Sequence, residues 1–165
     1  MINKTEMHKK LGDPPFIDEA IQQYITDPAI RDSMLHFIAW EGSIPEYADY
    51  EGQSPFWELN YNGKTIYIVL NGENDICIMT KPSFTQEFQD IIRENNMQDF
   101  ILNNLQPCSR KDGSHCGNCH LPSDAIGVDE VIFGKEIKNL CCGQFVTFDN
   151  PDRSTIEVIK KLLEV

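Results

Sequence analysis

The sequence has no run of about 18 consecutive apolar residues, the length a membrane-spanning helix needs. Its opening, "MINKTEMHKKLGD", has no apolar core of a secretion signal. Both absences argue against a membrane protein, and the expected location is the cytoplasm. Positive charge is also scarce: 14 Lys and Arg stand against 26 Asp and Glu, a formal net charge of −12. No Lys/Arg cluster reverses that balance locally, so a polyphosphate would be repelled over most of the surface, and nucleic acid is not an expected partner. An acidic balance suits a cationic ligand or a basic protein surface, and serves solubility equally well. G-x-S-x-G, a Walker loop and a dinucleotide fingerprint are all missing, and Gly134-Lys135 in "IFGKEI" lacks a phosphate-loop context. No catalytic residue is assigned, and a non-enzymatic role is expected.

What is present is the composition of a folded protein. The 165 residues are 41% hydrophobic and 24% charged, enough for one domain with its own core. Residues 1–12 are expected to form a flexible tail. Three Asx-Pro pairs, Asp13-Pro14, Asp27-Pro28 and Asn150-Pro151, announce helix starts, the acidic or amide side chain capping free N–H groups and proline taking the first helical position. Apolar residues at helical spacing follow each pair: Ile17, Ala20, Ile21 and Tyr24; Ile30, Met34, Phe37 and Ile38; Ile156, Ile159, Leu162 and Leu163. Ser83 with Gln86 reads as a capping box for a fourth helix, and a short fifth is expected between Met97 and Leu105.

Between the second and fourth helices the period falls to two. Trp57, Leu59 and Tyr61 alternate with Glu58 and Asn60, and Asn62-Gly63 is the favoured pair for a type I′ hairpin. Residues 56–80 are therefore expected as a three-stranded meander, with 144–149 as a fourth strand, 130–137 as a fifth and 43–55 as a polar connection. The class is α+β: a mostly antiparallel sheet of four or five strands, helices mainly on one face, and a Cys-rich loop over residues 107–143.

That loop carries the most specific signal. "CSRKDGSHCGNCH", residues 108–120, holds three cysteines and two histidines. Cys116 and Cys119 form C-x-x-C, Cys108 lies eight residues earlier, and Cys141-Cys142 follows at about the interval between the halves of a zinc ribbon. A tetrahedral zinc site of Cys108, Cys116, Cys119 and Cys142 is the leading reading, with Cys141, His120 or His115 as substitutes. An aperiodic stretch of that length inside a domain needs something to hold it. A second reading takes Cys116 and Cys119 as a redox dithiol, although no strand-to-helix context accompanies them. A third leaves the cysteines incidental. Cys77, in "DICIM", reads as a small strand or core residue, and His36 as a partly buried residue on a helix.

Aromatic residues gather around the first hairpin. Trp57, Tyr61 and Tyr67 with Glu58 have the chemistry of a pocket for a small cationic or apolar ligand. Strand alternation alone also accounts for them. The order of elements and the ending "FGKEI…C…VTFDNPD…I…IKKLL" resemble small uncharacterised bacterial proteins, some of them similar to GyrI-like small-molecule-binding domains. The resemblance spans residues 27–165 and implies an α+β domain that binds a small ligand, with Glu58 as the candidate pocket glutamate. The cysteine cluster is not a feature of those domains. The expectation carried forward is a binding or regulatory module with a structural zinc, partnered by a small ligand or another protein.

Overall fold

The computed structural model describes residues 16–41, 46–48, 54–108 and 127–165. It is an α+β protein, and its chain forms two compact units. The first runs through Thr80 and resumes over Thr147–Glu164; the second is Lys81–Val146.

In the first unit, α1 (Ile17–Tyr24) buries the expected stripe of Ile17, Ala20, Ile21 and Tyr24. Its expected cap, Asp13, lies outside the described residues. The second start is as read from the sequence: α2 (Pro28–Glu41) follows Asp27, whose Oδ1 accepts from the N–H groups of Ala29 (2.9 Å) and Ile30 (3.3 Å). Met34 and Phe37 are its fully buried positions.

The meander is present as β2 (Phe56–Tyr61), β3 (Lys64–Gly72) and β4 (Asp75–Thr80), paired antiparallel. Asn62 and Gly63 take φ of +50° and +77°, the left-handed pair that a type I′ turn demands. The polar connection expected over 43–55 contains a strand: β1 (Glu46–Ala48) pairs with β2, Tyr47 opposite Trp57. With β7 (Val146–Asp149) beside β4, the sheet order is β1-β2-β3-β4-β7. Trp57, Leu59, Ile66, Ile68 and Leu70 share one buried face, while Glu58 and Asn60 are exposed on the other. Each such buried aliphatic contributes about 1.5–3 kcal/mol.

The third Asx-Pro start is corrected. Asn150 is spent on the sheet: it takes a φ of +44°, donates its N–H to Ile76 O at 2.8 Å and accepts from Ile76 N at 3.0 Å through Oδ1. The helix α5 (Arg153–Glu164) is capped instead by Asp152, whose Oδ1 accepts from Thr155 N at 2.8 Å and from the Ser154 hydroxyl at 2.8 Å. Ile156, Ile159, Leu162 and Leu163 are buried as expected.

The second unit holds α3 (Gln86–Glu94) and α4 (Gln98–Asn104). The capping box at Ser83 is also corrected. Phe84 takes a left-handed φ of +46°, which moves the helix entry to Thr85, whose side chain accepts from Phe88 N at 3.2 Å; Gln86 bonds forward to Asp90. The single strand expected over 130–137 is a hairpin of its own, β5 (Val128–Ile132) and β6 (Lys135–Leu140), turning at Phe133 and Gly134 with φ of +52° and +78°.

The Asp152 carboxyl lies below its ordinary value because the Thr155 N–H and the neighbouring hydroxyls stabilise its charged form. Its contribution to stability is therefore full above the ordinary Asp pKa of about 3.9 and fades as pH falls through the lower folded-state value. Asp152→Ala is expected to cost about 1 kcal/mol at pH 7 in urea unfolding, and to flatten the acid limb of the stability curve.

Candidate functional site

The second unit is organised around the end of β6. Leu140 lies opposite Val128 of β5 on one edge, and forms an antiparallel bridge with Pro107 on the other. The bridge is closed by Cys108 N donating to Asn139 O at 2.6 Å and Cys141 N donating to Gln106 O at 3.0 Å. This register sets Gln106 across from Cys141 and Cys108 across from Asn139. Cys108 and Cys141 thus fall on the same face of the ladder as diagonal neighbours, a relation that places α-carbons about 7–8 Å apart.

On the β5 side the approach is closer still. A Cβ added at Gly127, which has a φ of +66°, would lie 2.5 Å from the Asn139 carbonyl carbon. Cys108 and Gly127 therefore flank β6 on opposite edges, about 10 Å apart, two strand spacings. The next four residues turn back, with Gln144 N donating to Cys141 O at 3.4 Å across Cys142 and Gly143.

A cleft of about 190 Å³ opens beside this ladder. Pro82, Phe84, Val128 and Leu140 give it apolar walls; Lys81, Glu130 and Gln144 bring polar groups, and Cys141 and Cys142 lie along it. Phe84 is fixed as a wall at some cost, because a bulky residue in the left-handed region is strained by about 1–3 kcal/mol. Two interactions hold it there. Its ring meets Phe88 edge-on at 5.8 Å, and its carbonyl accepts from Gln89 Nε2 at 2.9 Å. Gln89 is buried, and its Oε1 accepts from Phe133 N at 2.7 Å, so one amide ties the 81–85 segment to the β5–β6 turn.

The sequence-derived zinc ligands divide into two groups. Cys108, Cys141 and Cys142 are half-buried and share the end of β6. Cys116, Cys119, His115 and His120 lie outside the described residues. Among the described residues no three His, Cys, Asp or Glu side chains converge as a metal site. Cys77 is buried in β4 as expected, and burial, aided by Asp149, pushes its thiol up to about 11. It stays protonated at neutral pH.

The aromatic candidates separate. Trp57 is 1% exposed in the core of the first unit, whereas Glu58 points to the opposite face, across from Tyr67. Tyr67 meets Phe56 edge-on at 5.8 Å, and Tyr61 packs at 4.8 Å on Trp40. The four therefore form no common pocket among the described residues.

His36 belongs to a polar cluster of the first unit. Its Nε2 lies 3.0 Å from Glu157 Oε1 and beside Lys160 Nζ, which in turn sits 5.3 Å from the centre of the Trp40 ring. Lys160, with His36, holds the Glu157 carboxyl below the usual carboxylate range. Lys64 completes this end of the unit by donating to the Leu162 and Leu163 carbonyls, the free acceptors at the end of α5.

Sequence reasoning missed the cleft. Lys81, Glu130 and Phe84 carried no motif, and Gln144 read only as the start of a strand. Comparisons with family models, curated proteins and solved structures give no match. Among the described residues, no helix is long and apolar enough to cross a membrane.

Gln89→Leu is expected to destabilise the protein by about 2–3 kcal/mol in urea unfolding, because it strands the part-buried Phe133 N–H and Phe84 carbonyl. Gly127→Ala is expected to cost at least as much, since neither the backbone of Asn139 nor the left-handed φ can yield to a methyl group.

Proposed function

We propose that this chain is a non-enzymatic binding or regulatory module, located in the cytoplasm, in which a structural zinc is held by Cys108, Cys116, Cys119 and Cys142. Cys141, His115 and His120 stand as substitute ligands. The observation that supports this reading is the Pro107–Leu140 bridge, which sets Cys108 and Cys141 on one face with Cys142 adjacent. The C-x-x-C pair enters the chain between Cys108 and Gly127, the two residues that flank β6.

Four thiolates around zinc leave no open coordination position, so the metal would supply stability and not reactivity. Zinc binding releases the thiol protons, and the binding free energy becomes folding free energy of the second unit. The surface that such a module offers to a small ligand or protein partner is the part it would regulate.

Protein purified without chelator is expected to contain about one zinc per chain, with its thiols masked until chelator and denaturant are added. Cys108→Ser is expected to lower metal content and melting temperature together, whereas Cys77→Ser should leave metal content unchanged. A metal-free protein with freely reacting thiols would overturn this reading in favour of a dithiol at Cys116 and Cys119.

A further inference from the structure

The cleft of the second unit contains a donor with no partner among the described residues. Gln144 is 9% exposed, and its Oε1 accepts from Gln106 N at 3.1 Å. A backbone N–H can only donate, so this bond fixes which end of the amide is oxygen and leaves both Nε2 hydrogens unpaired among the described residues. A buried amide donor without an acceptor costs about 1–3 kcal/mol, an expense that a bound acceptor oxygen would remove.

Two charges of opposite sign accompany it. Lys81 and Glu130 both line the cleft, both are exposed, and neither has an ion-pair partner among the described residues. Pro82, Phe84, Val128 and Leu140 supply the apolar wall, with Ser83, Cys141 and Cys142 completing the lining. A volume of about 190 Å³ is that of about six waters at about 30 Å³ each, and suits a ligand of roughly six to ten heavy atoms.

We propose that this cleft is a binding site for a small zwitterion, a free amino acid with an aliphatic side chain. Its carboxylate accepts from Gln144 Nε2 and Lys81 Nζ, its ammonium group pairs with Glu130, and its side chain rests on Pro82, Phe84, Val128 and Leu140. A zwitterion has no net charge, so the overall −12 of the protein does not repel it as it would a simple anion. The ligand contacts named here use no metal, although Cys141 and Cys142, which the zinc reading engages, lie along the same cleft.

The test is a titration of ¹⁵N-labelled full-length protein, as purified, with L-leucine, with 4-methylpentanoate, which lacks the ammonium group, and with 3-methylbutylamine, which lacks the carboxylate. Leucine is expected to shift the Gln144 side-chain amide signals saturably, with a dissociation constant of about 1 mM or tighter, and each truncated analogue to bind at least about tenfold more weakly. Gln144→Glu keeps an oxygen for Gln106 N but sets a carboxylate against the ligand's own, and is expected to weaken leucine at least about tenfold, followed at the backbone amides of Val128 and Glu130 because the Gln144 side-chain signal is gone. Glu130→Gln should abolish the preference for leucine over 4-methylpentanoate. Val128→Phe, which fills the cleft from a half-buried strand position, should eliminate binding and serves if Gln144→Glu fails to fold. Absence of any leucine-dependent shift at Gln144, or equal binding of leucine and 4-methylpentanoate, would overturn the proposal. Because the readout is the Gln144 amide, a metal-free protein that still binds leucine would refute the zinc reading alone.

Discussion

The position of Leu140 between two chain segments is the constraint on which the second unit depends. A residue in a strand has two hydrogen-bonding edges, and here one edge serves β5 while the other serves the 106–108 segment. Everything of chemical interest is placed by that arrangement. It aligns Cys108 with Cys141, it forces glycine at position 127, and it directs the following Cys141–Gln144 turn so that the Gln144 amide closes on Gln106. Hydrogen bonds of this kind contribute only about 1 kcal/mol each in net terms, but breaking one leaves buried partners unsatisfied, and the cost then rises.

The first unit is held differently, by side chains of Asn and Asp that stand in for backbone. Asn74 takes a φ of +57°, and its Oδ1 accepts from Thr26 N at 2.6 Å and Asp27 N at 3.0 Å, fastening the β3–β4 turn to the α1–α2 junction. Asn150 does the same between β4 and the approach to α5. These short polar side chains tolerate the left-handed region and carry their own acceptor, which explains why asparagine serves at positions 74 and 150.

Much of this was legible in the sequence, and the failures share a cause. The 3.6- and 2-residue periods located the helices and the meander because they record burial, and burial is a property of each side chain in order along the chain. Caps were misplaced at Ser83 and Asn150 because both residues satisfy the local rule, yet Phe84's backbone and the pairing of Asn150 with Ile76 overrode it. The β5–β6 hairpin was obscured because its mostly exposed strands show no apolar alternation. The cleft left no trace at all: Lys81, Glu130 and Gln144 are distant in sequence, and it takes both the ladder at β6 and the Gln89 tie to the 81–85 segment to bring them into one lining. Of the ligand sets read from spacing, Cys108 and Cys141 share one face of the ladder, whereas Trp57 and Glu58 lie on opposite faces of the sheet.

The order of the two units along the chain carries a consequence for how the protein is made. The second unit is continuous, Lys81–Val146, whereas the first is interrupted by it and is completed only by Thr147–Glu164. As the chain leaves the ribosome from its N-terminus, β4 emerges with one edge unpaired, and the asparagine that pairs with Ile76 arrives 74 residues later. Domains generally fold as units during synthesis. The inserted unit has its residues before the enclosing one does, and the exposed edge of β4 must wait, protected from other chains, until β7 and α5 are released.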